Sequence, residues 1–326
     1  MHSDNSYQTT PQAPLHSGFG PNTTAREVLR GHDLMGKTAI VTGGYSGIGL
    51  ETTRALAEAG VTVIVPARTP AKARASMGGM PRVELEQMDL IDPASVDAFA
   101  QRFLHSGRAL HILINNAGIM AAPLVREARG YESQFATNHL GHFQLTLRLW
   151  PALKRAGRAG GARVVSLSSS GLRFGAVDFD DPHYQRRPYE RWNAYGQSKT
   201  ANALFAVALD KRGHADGIRA FSVHPGGIYT DLSRFMSEDE KRAATGPFKT
   251  TEQGAATSVW CATSPQLDGK GGVYCVDCDI AEVIDRETLE GLYQVLNGVI
   301  PWAIDPDAAE RLWQLSEEMT GVKFST

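Results

Sequence analysis

The segment AYGQSKTANALF, residues 194–205, places a phenol and an ammonium group one helical turn apart. Tyr195 and Lys199 are at positions i and i+4, so in a helix their side chains project from the same face. A free tyrosine, with a pKa of about 10, is a poor base at neutral pH, but a neighbouring ammonium favours the phenolate. Such a pair is suited to general acid/base catalysis, in which a side chain donates and accepts a proton. The alternative is a pair that only packs on the surface, and the local sequence alone favours that alternative.

Three consecutive serines, Ser168, Ser169 and Ser170, follow the apolar run RVVSL. A serine hydroxyl can hold the oxygen of a carbonyl or alcohol group while a tyrosine exchanges a proton with it. The residues alone leave open which of the three serines would do so.

A glycine-rich segment, TGGYSGIG at residues 42–49, follows the first apolar run. Its glycines at 43, 47 and 49 have the spacing G-x-x-x-G-x-G. Glycines allow a tight turn, and the helix that follows offers N–H groups and the positive end of its dipole to a pyrophosphate. An ordinary strand-to-helix turn is the alternative, because this motif alone is weak.

Short apolar runs alternate with helix-length segments along most of the chain. Seven runs predict strands: KTAIVTGG, VTVIVPAR, VELEQMDL, ALHILINNAG, RVVSLSSSG, GIRAFSVHPGG and GGVYCVD. Continuous apolar strands separated by helices, the first at Thr52 to Ala59, predict a parallel sheet covered on both faces. Residues 31–326 would form one domain, after a flexible or surface-draped N-terminal arm at residues 1–30.

Polar or small residues stand where five of the later strands end. They occupy positions 66–68, 88–90, 115–118, 168–170 and 224–227. A dinucleotide lies across the carboxyl ends of parallel strands, so these residues would line one ligand site.

Taken together, the motifs TGxxxGxG, NNAG, the serine-rich strand end, YxxxK and PG resemble those of the short-chain dehydrogenase/reductase family. They occur in the family order and cover roughly residues 36 to 280. YGQSKTANALF after a long insertion, and LWQLSEEMTG near the C-terminus, are similar to the branch of retinol dehydrogenases and WW-domain oxidoreductases. The resemblance implies a single-domain, Rossmann-type, doubly wound α/β fold with about seven mainly parallel strands and helices on both faces.

The resemblance also implies a catalytic tetrad. The family pattern places the catalytic serine second in its Ser-Ser pair, which corresponds to Ser169. Tyr195 would be the acid/base in hydride transfer, and Lys199 would lower its pKa and reach the nicotinamide ribose. Asn138 in FATNHLGHF matches a helix asparagine that holds a water linking Lys199 to solvent. The insertion FGAVDFDDPHYQRRPYERW would form a loop.

Further family positions imply the cofactor site. Asp89 and Leu90 would border the adenine, and Asn115, Ala117 and Gly118 would pass the adenosine ribose. The Thr230 hydroxyl would lie near the nicotinamide carboxamide. The residues predicted to bind the cofactor are Gly43, Tyr45, Ser46, Gly47, Ile48, Gly49, Arg68, Asp89, Leu90, Asn116, Ala117, Gly118, Tyr195, Lys199, Pro225, Gly226, Ile228 and Thr230.

The end of the second strand favours NADP over NAD. NAD-binding proteins of this fold usually place an acidic residue there, whereas this chain has Ala67 followed by Arg68. An arginine can pair with a 2′-phosphate through charge-assisted hydrogen bonds. The alternative is that Arg68 is only an exposed charge, in which case NAD is possible.

The substrate pocket is expected to be apolar. The segment at 228–248 would form a lid, and the candidate wall residues are Met120, Phe174, Tyr189, Trp192, Tyr229, Phe235 and Met236. Such a wall suits a hydrophobic or aromatic carbonyl compound, although several of these residues could equally belong to the core. Retinoids are what the branch suggests.

Three functions are consistent with the sequence. The leading one is an oxidoreductase that interconverts a ketone or aldehyde with an alcohol. The second is reduction of a carbon–carbon double bond, as in protochlorophyllide reductases of similar sequence. The third is a nucleotide-sensing protein with little chemistry, which the four filled tetrad positions count against.

Bulk properties exclude several classes of partner. The net charge of −2 gives no basic surface for nucleic acid, and no apolar run approaches the ~20 residues of a membrane span. Three cysteines favour a reducing, cytoplasmic location, with Cys275 and Cys278 as two thiols at a strand edge and no metal site. The partner expected is a small-molecule substrate, and the family resemblance implies a homo-oligomer.

Overall fold

The computed structural model describes residues 7–244, 248–284 and 297–325. Within these residues, one sheet of eight strands forms the centre of the fold. The strands are β1 Thr38–Val41, β2 Thr62–Ala67, β3 Val83–Gln87, β4 Ile112–Asn115, β5 Ala162–Leu167, β6 Ile218–His224, β7 Val273–Val276 and β8 Asp279–Ile280. β1, β4 and β7 are buried at every position, as expected for strands covered on both faces.

The order of the strands in the sheet creates the place where a ligand can bind. The order is β3-β2-β1-β4-β5-β6-β7-β8, and all neighbours are parallel except β7 and β8. β1 therefore lies between β2 and β4, and the chain winds away from β1 in opposite directions on its two sides. Ligands of such sheets bind at this switch point, beyond the carboxyl ends of the strands.

Helices cover both faces of the sheet. They are α1 Ala25–Val28, α2 Gly47–Glu58, α3 Pro70–Met77, α4 Pro93–His105, α5 Ser133–Phe135, α6 Gly141–Arg148, α7 Trp150–Arg158, α8 Arg191–Gly213, α9 Glu238–Ala243, α10 Thr251–Thr263 and α11 Pro306–Thr320. A π-helical turn, Ala136–Leu140, joins α5 to α6. Single 3₁₀ turns lie at Ser170–Phe174, His214–Asp216, Asp231–Phe235, Pro265–Leu267 and Pro301–Ala303.

Alternating strand residues divide the core into two layers. Ile40 of β1 packs into one buried cluster with Phe99 of α4 and Leu204 of α8. Its neighbour Val41 packs into the other cluster, with Val259 of α10. The predicted Rossmann-type fold, with helices on both faces of a mainly parallel sheet, is thereby confirmed.

Two details of the elements differ from the sequence prediction. β8 was not predicted, because it has only two residues and follows a tight turn in which Asp277 and Cys278 have φ of 51° and 60°. α2 begins at Gly47 rather than at Thr52, because the glycine-rich segment itself forms the first helical turn.

The N-terminal arm is draped over the domain from residue 7 onward, which is one of the two forms expected for it. Gln12 donates to the backbone oxygens of Tyr274 (2.8 Å) and Ala281 (2.7 Å) and accepts from the Tyr274 N–H (2.9 Å). The backbone N–H of Leu15 donates to Asp279 Oδ1 at 2.7 Å. The arm thus fastens to the β7–β8 end of the sheet.

Near the C-terminus, α11 packs on the domain itself. Its Leu312 and Trp313 are buried, and the Trp313 ring stacks on Phe205 of α8 with centroids 5.9 Å apart. The earlier part of the C-terminal segment, residues 287–296, lies outside the described residues.

The prediction of strand-edge thiols was wrong. Cys275 lies in β7, which has a neighbour on each side, and both Cys275 and Cys278 are buried. Burial raises the pKa of the Cys278 thiol to about 12, so that thiol is inert at neutral pH. Across the described residues, no helix has the length and hydrophobicity to cross a bilayer.

Candidate active site

The carboxyl ends of the central strands open into a cavity of about 830 Å³. Every residue predicted to bind the cofactor lines this cavity, and so does Ser169. Asn115 lies behind the wall, where its side-chain amide donates to Thr146 Oγ1 at 3.2 Å. Asn138 is also buried behind the wall.

The glycine-rich turn between β1 and α2 forms one floor of the cavity. Gly43 has a φ of +64°, a conformation that favours glycine. A Cβ on Gly49 would lie 2.3 Å from the Gly43 carbonyl oxygen and 2.5 Å from Asn116 Nδ2, so no larger residue fits there. The N-cap residue Ser46 makes no side-chain capping bond, which leaves the first N–H groups of α2 available to an anion. A pyrophosphate fits this turn.

Thr42 fastens the glycine turn to the neighbouring strand end. Its hydroxyl oxygen accepts the N–H groups of Asn116 (2.9 Å) and Ala117 (3.0 Å) and lies 2.8 Å from His142 Nε2. His142 Nδ1 lies 2.9 Å from the Asn138 carbonyl oxygen, which can only accept, so Nδ1 carries the proton and Nε2 accepts from Thr42. Burial lowers the pKa of His142 to about 4, so the ring is neutral at pH 7.

The three serines after β5 make different contacts. Ser168 is buried and its hydroxyl donates to the Lys199 backbone oxygen at 2.7 Å. The Ser169 hydroxyl accepts the Gly171 N–H at 3.0 Å, and both Ser169 Oγ and the Tyr195 ring lie within 3.3 Å of the position that a Cβ on Gly171 would take. Ser169 is therefore the serine that meets Tyr195 at the cavity wall.

Tyr195 and Lys199 face the cavity from the first half of α8. Glu190 caps this helix by accepting the Asn193 N–H at 2.7 Å. The Lys199 ammonium lies 5.6 Å from the centroid of the Tyr195 ring and donates to the Leu167 backbone oxygen at 3.0 Å. The structure thus brings Ser169, Tyr195 and Lys199 to one wall.

Burial shifts the pKa of both members of the tyrosine–lysine pair toward the neutral form. It raises the pKa of Tyr195 to about 12, against the opposing effect of the Ser169 hydrogen bond. It lowers the pKa of Lys199 to about 8. The net shift of the Tyr195 pKa is therefore upward, whereas the sequence predicted a downward shift, because desolvation outweighs the effect of Ser169.

Asn138 occupies the π-helical turn between α5 and α6. Its Oδ1 accepts the Ile119 N–H at 2.9 Å, and its Nδ2 donates to the Ile119 carbonyl oxygen and to Ser198 Oγ, both at 2.9 Å. These bonds tie the turn after β4 to α8. Both amide protons are used, so a relay water at this side chain would have to donate to Oδ1.

Arg68 and Asp89 stand at the ends of β2 and β3. Arg68 is exposed and lines the cavity. The Asp89 carboxylate accepts the Ile91 N–H at 3.3 Å and so belongs partly to its own turn. The cavity therefore has a guanidinium in its wall at the end of β2.

The turn after β6 forms the opposite end of the dinucleotide site. Gly226 has a φ of +98° and follows Pro225 directly. The Thr230 hydroxyl accepts the Leu232 N–H at 3.3 Å and so begins the 3₁₀ turn at Asp231–Phe235. A Cβ on Gly47 would lie 3.2 Å from Thr230 Cγ2, so this turn and the glycine turn face each other closely.

Apolar side chains line the rest of the cavity. The predicted wall residues found there are Met120, Phe174, Trp192, Tyr229 and Met236. The rings of Phe174 and Trp192 are 5.7 Å apart, and those of Trp192 and Tyr195 are 6.2 Å apart. The lid segment contains a 3₁₀ turn and α9, and its residues 245–247 lie outside the described part.

Two predicted wall residues do not line the cavity. The Tyr189 hydroxyl donates to the Ala122 carbonyl oxygen at 2.8 Å and accepts from Gln134, so it braces the loop before α8. Phe235 lies under the Arg234 guanidinium at 4.8 Å. Both were chosen for their apolar character alone, which does not show where a side chain points.

His224, the last residue of β6, was expected among the strand-end residues that line the site, but the sequence indicated no role for its ring. Its Nδ1 accepts the N–H groups of Ser170 (3.2 Å) and Gly226 (3.4 Å), and burial lowers its pKa to about 3. The neutral ring thus links the serine turn to the turn after β6. The signal in the sequence was the histidine of HPG at the end of the sixth strand.

The arm also reaches the cavity, which the sequence did not indicate. Pro21 and Asn22 line it, and Gln253 Nε2 donates to the Asn22 carbonyl oxygen at 3.2 Å. The arm therefore forms part of the cavity wall near the start of α10.

Comparisons with known proteins identify the family. The model of the short chain dehydrogenase family matches residues 37–241. A "Probable oxidoreductase" of Streptomyces antibioticus is 45% identical over 300 residues, covering 86% of this chain and 97% of that protein. Retinol dehydrogenase 12 of Mus musculus is 37% identical over 297 residues, covering 89% and 88%.

A solved structure adds a likeness in three dimensions. The Pseudomonas aeruginosa RhlG/NADP active-site complex is 25% identical, with a TM-score of 0.61, and the alignment covers 75% of this chain and 95% of that one. The chain therefore belongs to the short-chain dehydrogenase family, in the branch similar to retinol dehydrogenases, and is an NAD(P)-dependent dehydrogenase/reductase.

Proposed function

We propose that this protein uses NADP to interconvert a hydrophobic or aromatic ketone or aldehyde with its alcohol, with Tyr195 as the acid/base. The observation that carries the proposal is the meeting of Ser169, Tyr195 and Lys199 at one wall of the dinucleotide-sized cavity. The neighbouring wall, with Phe174 and Trp192, suits an apolar or aromatic substrate.

The proposed roles follow from the state of each group. Tyr195 carries its proton at pH 7 and donates it to the carbonyl oxygen, and it takes the proton back in the reverse direction. Ser169 donates a hydrogen bond to the same oxygen and so holds it against Tyr195. A bound nicotinamide supplies the hydride in reduction and accepts it in oxidation. Lys199 would hold the ribose beside it.

Asn138 acts behind this wall in the proposal. It fixes the turn after β4 against α8 through Ile119 and Ser198. A water that donates a hydrogen bond to Asn138 Oδ1 would complete the proton relay from Lys199 to solvent.

The proposed preference for NADP rests on Arg68. Its guanidinium lines the cavity at the end of β2, where Ala67 stands in place of a carboxylate. The solved NADP complex with a similar fold is consistent with this choice. A charge-assisted pair with the 2′-phosphate would favour NADPH over NADH by about tenfold or more.

Fluorescence titration with NADPH and NADH tests the proposed preference for NADPH. We expect NADPH to bind about tenfold more tightly to the wild type, and Arg68→Ala to remove that difference. Arg74→Ala is the matched control, because Arg74 is an exposed arginine on α3 that does not line the cavity. Equal binding of NADH and NADPH by the wild type would show that Arg68 is a bystander.

A product assay tests the reaction. An unsaturated aldehyde, incubated with deuterated NADPH, should yield the unsaturated alcohol with deuterium on the carbinol carbon. Deuterium at a former double-bond carbon would instead support the carbon–carbon reductase.

A further inference from the structure

An arginine lies next to the proposed catalytic serine and has no role in the proposed mechanism. Arg173 belongs to the 3₁₀ turn Ser170–Phe174 that begins directly after Ser169. Its half-buried side chain lines the cavity. Nη1 donates to the Ser170 carbonyl oxygen at 3.3 Å, and the guanidinium carbon lies 4.6 Å from the centroid of the Phe174 ring.

The charge of Arg173 has no carboxylate partner among the described residues. In the described ranges, no carboxylate lies within ion-pair distance of its guanidinium, and burial lowers its pKa. Two carboxylates of the cavity wall are already engaged, because Asp277 pairs with Lys249 and Glu240 with Arg191 at 2.6 Å. An arginine stays protonated in proteins, so this cation faces the cavity.

A half-buried cation without a partner costs free energy, and the cost is recovered when an anion binds. A guanidinium has five N–H donors in a planar fork that matches a carboxylate in a bidentate manner. Only one contact, to a backbone oxygen, uses those donors among the described residues. The remaining N–H groups of the Arg173 guanidinium can donate hydrogen bonds to an acceptor on a bound ligand.

We propose that Arg173 binds a carboxylate on the substrate, so that the substrate class is a carbonyl compound with an acidic group. This inference rests on the proposed function, because it assigns a substrate class to that same site. Ser169 and Arg173 are four residues apart in a 3₁₀ turn, a rise of roughly 8 Å. The carboxylate is therefore separated from the carbonyl by several bonds, and an aromatic or aliphatic spacer lies along Phe174 and Trp192.

The test compares para-formylbenzoate with its methyl ester, which differ in the negative charge. With NADPH as reductant, we expect the wild type to show a kcat/KM at least about tenfold higher for the acid, with the difference in KM. In Arg173→Gln the ratio of the two kcat/KM values should fall to about one. Arg234→Gln is the control, because this exposed arginine also lines the cavity, and there the ratio should remain.

Several results would overturn the proposal. Equal kcat/KM values for acid and ester in the wild type would contradict it. So would an equal loss for both compounds in Arg173→Gln, which indicates a structural role. A fall in NADPH affinity in that variant would assign the guanidinium to a phosphate of the cofactor instead.

A binding measurement separates this inference from the proposed function. Calorimetric titration of the NADPH-loaded Tyr195→Phe enzyme with the acid and the ester measures affinity without turnover. We expect the acid to bind about tenfold more tightly, and the added Arg173→Gln change to remove the difference. If the wild type reduces neither compound while this preference holds, the proposed function fails and the anion site stands. Equal affinities would refute the anion site alone.

Discussion

At the proposed catalytic pair, burial acts on two ionisable groups that sit one helical turn apart. The pKa of Tyr195 rises to about 12 and that of Lys199 falls to about 8, because both lose contact with water. Tyr195 therefore starts a reduction with its proton in place. Lys199 loses much of its charge above pH 8, so the site changes its electrostatic character close to neutrality.

Lys199→Met is predicted to stabilise the fold while removing function. The folded-state pKa of Lys199 lies below its ordinary 10.5, so its ammonium costs stability at all pH values below about 8. Removing it should raise the free energy of unfolding at pH 7 by on the order of 2 kcal/mol. The Leu167 oxygen is not left without a partner, because Asn202 also donates to it at 2.8 Å. Urea unfolding and turnover measure the two effects.

The pH dependence and a control make this prediction specific. The stability difference should shrink as the pH rises from about 8 to 10.5, where the unfolded lysine also loses its proton. Lys211→Met, at an exposed lysine of the same helix, should change stability little. A Lys199→Met protein that is less stable than the wild type at pH 7 would contradict the account.

At this scale, sequence alone could predict the pair but not its pKa values. The spacing of Tyr195 and Lys199 in α8 follows from the helical period. Their full burial follows from tertiary packing, which the local pattern does not contain. The contact between Ser169 and Tyr195 likewise joins two elements across a long loop.

At the scale of elements, the site is built from turns that are fastened to one another in pairs. Thr42 joins the turn after β1 to the turn after β4. His224 joins the turn after β5 to the turn after β6. Each fastening residue accepts two backbone N–H groups, so the carboxyl ends of four strands keep fixed positions around the cavity.

Gly49→Ala is predicted to disrupt the packing of the turn after β1 against the turn after β4. The added Cβ would meet the Gly43 backbone oxygen at 2.3 Å, so the glycine turn must move away from β4. We expect NADPH affinity to fall by at least about tenfold, a cost of about 1.4 kcal/mol or more. Gly20→Ala is the control, because a Cβ there meets nothing within 4 Å. Unchanged NADPH binding by Gly49→Ala would show that the turn does not hold the cofactor.

Most elements were predictable because strands buried on both faces are continuous apolar runs. β8 and the π-helical turn at Ala136–Leu140 were not, since the first has two residues and the second differs from an α-helix only in its hydrogen bonds. The position of the lid could be predicted from the sequence but its secondary structure could not, because its polar residues follow neither the helical nor the strand period.

At the scale of the whole molecule, the N-terminal arm and the C-terminal helix α11 both pack against the domain. The arm binds the β7–β8 end through Gln12 and reaches the cavity at Asn22. α11 packs on α8 within the same core cluster. The arm was predictable from its composition, but the residues that the arm and α11 contact lie far away in the sequence, and no local pattern identifies them.

Four buried histidines predict that the fold is sensitive to acid. Burial lowers the pKa of His139 and His224 to about 3 and that of His142 and His183 to about 4. Below about pH 6.5 the unfolded chain takes up protons that the folded chain refuses, so stability falls as the pH drops. Glu132, whose pKa burial raises, opposes this change.

The four histidines alone would give a slope near pH 5 of about 5 kcal/mol of unfolding free energy per pH unit, and Glu132 reduces it. Urea unfolding between pH 7 and pH 5 measures it. His105→Gln, at an exposed histidine, should leave the slope unchanged. A slope below about 1.4 kcal/mol per pH unit, the value for a difference of one bound proton, would mean that these rings titrate in the folded state.

The central claim is that Tyr195 exchanges the proton during hydride transfer, and Tyr195→Phe tests it most directly. The measurement is single-turnover reduction of an aldehyde, with NADPH affinity measured by fluorescence on the same preparation. The account predicts a rate lower by about 10²–10⁴-fold with NADPH binding close to that of the wild type. Tyr131→Phe, which loses only a bond to the Met319 oxygen at 3.3 Å, should keep the wild-type rate. A Tyr195→Phe enzyme that keeps its rate would contradict the account.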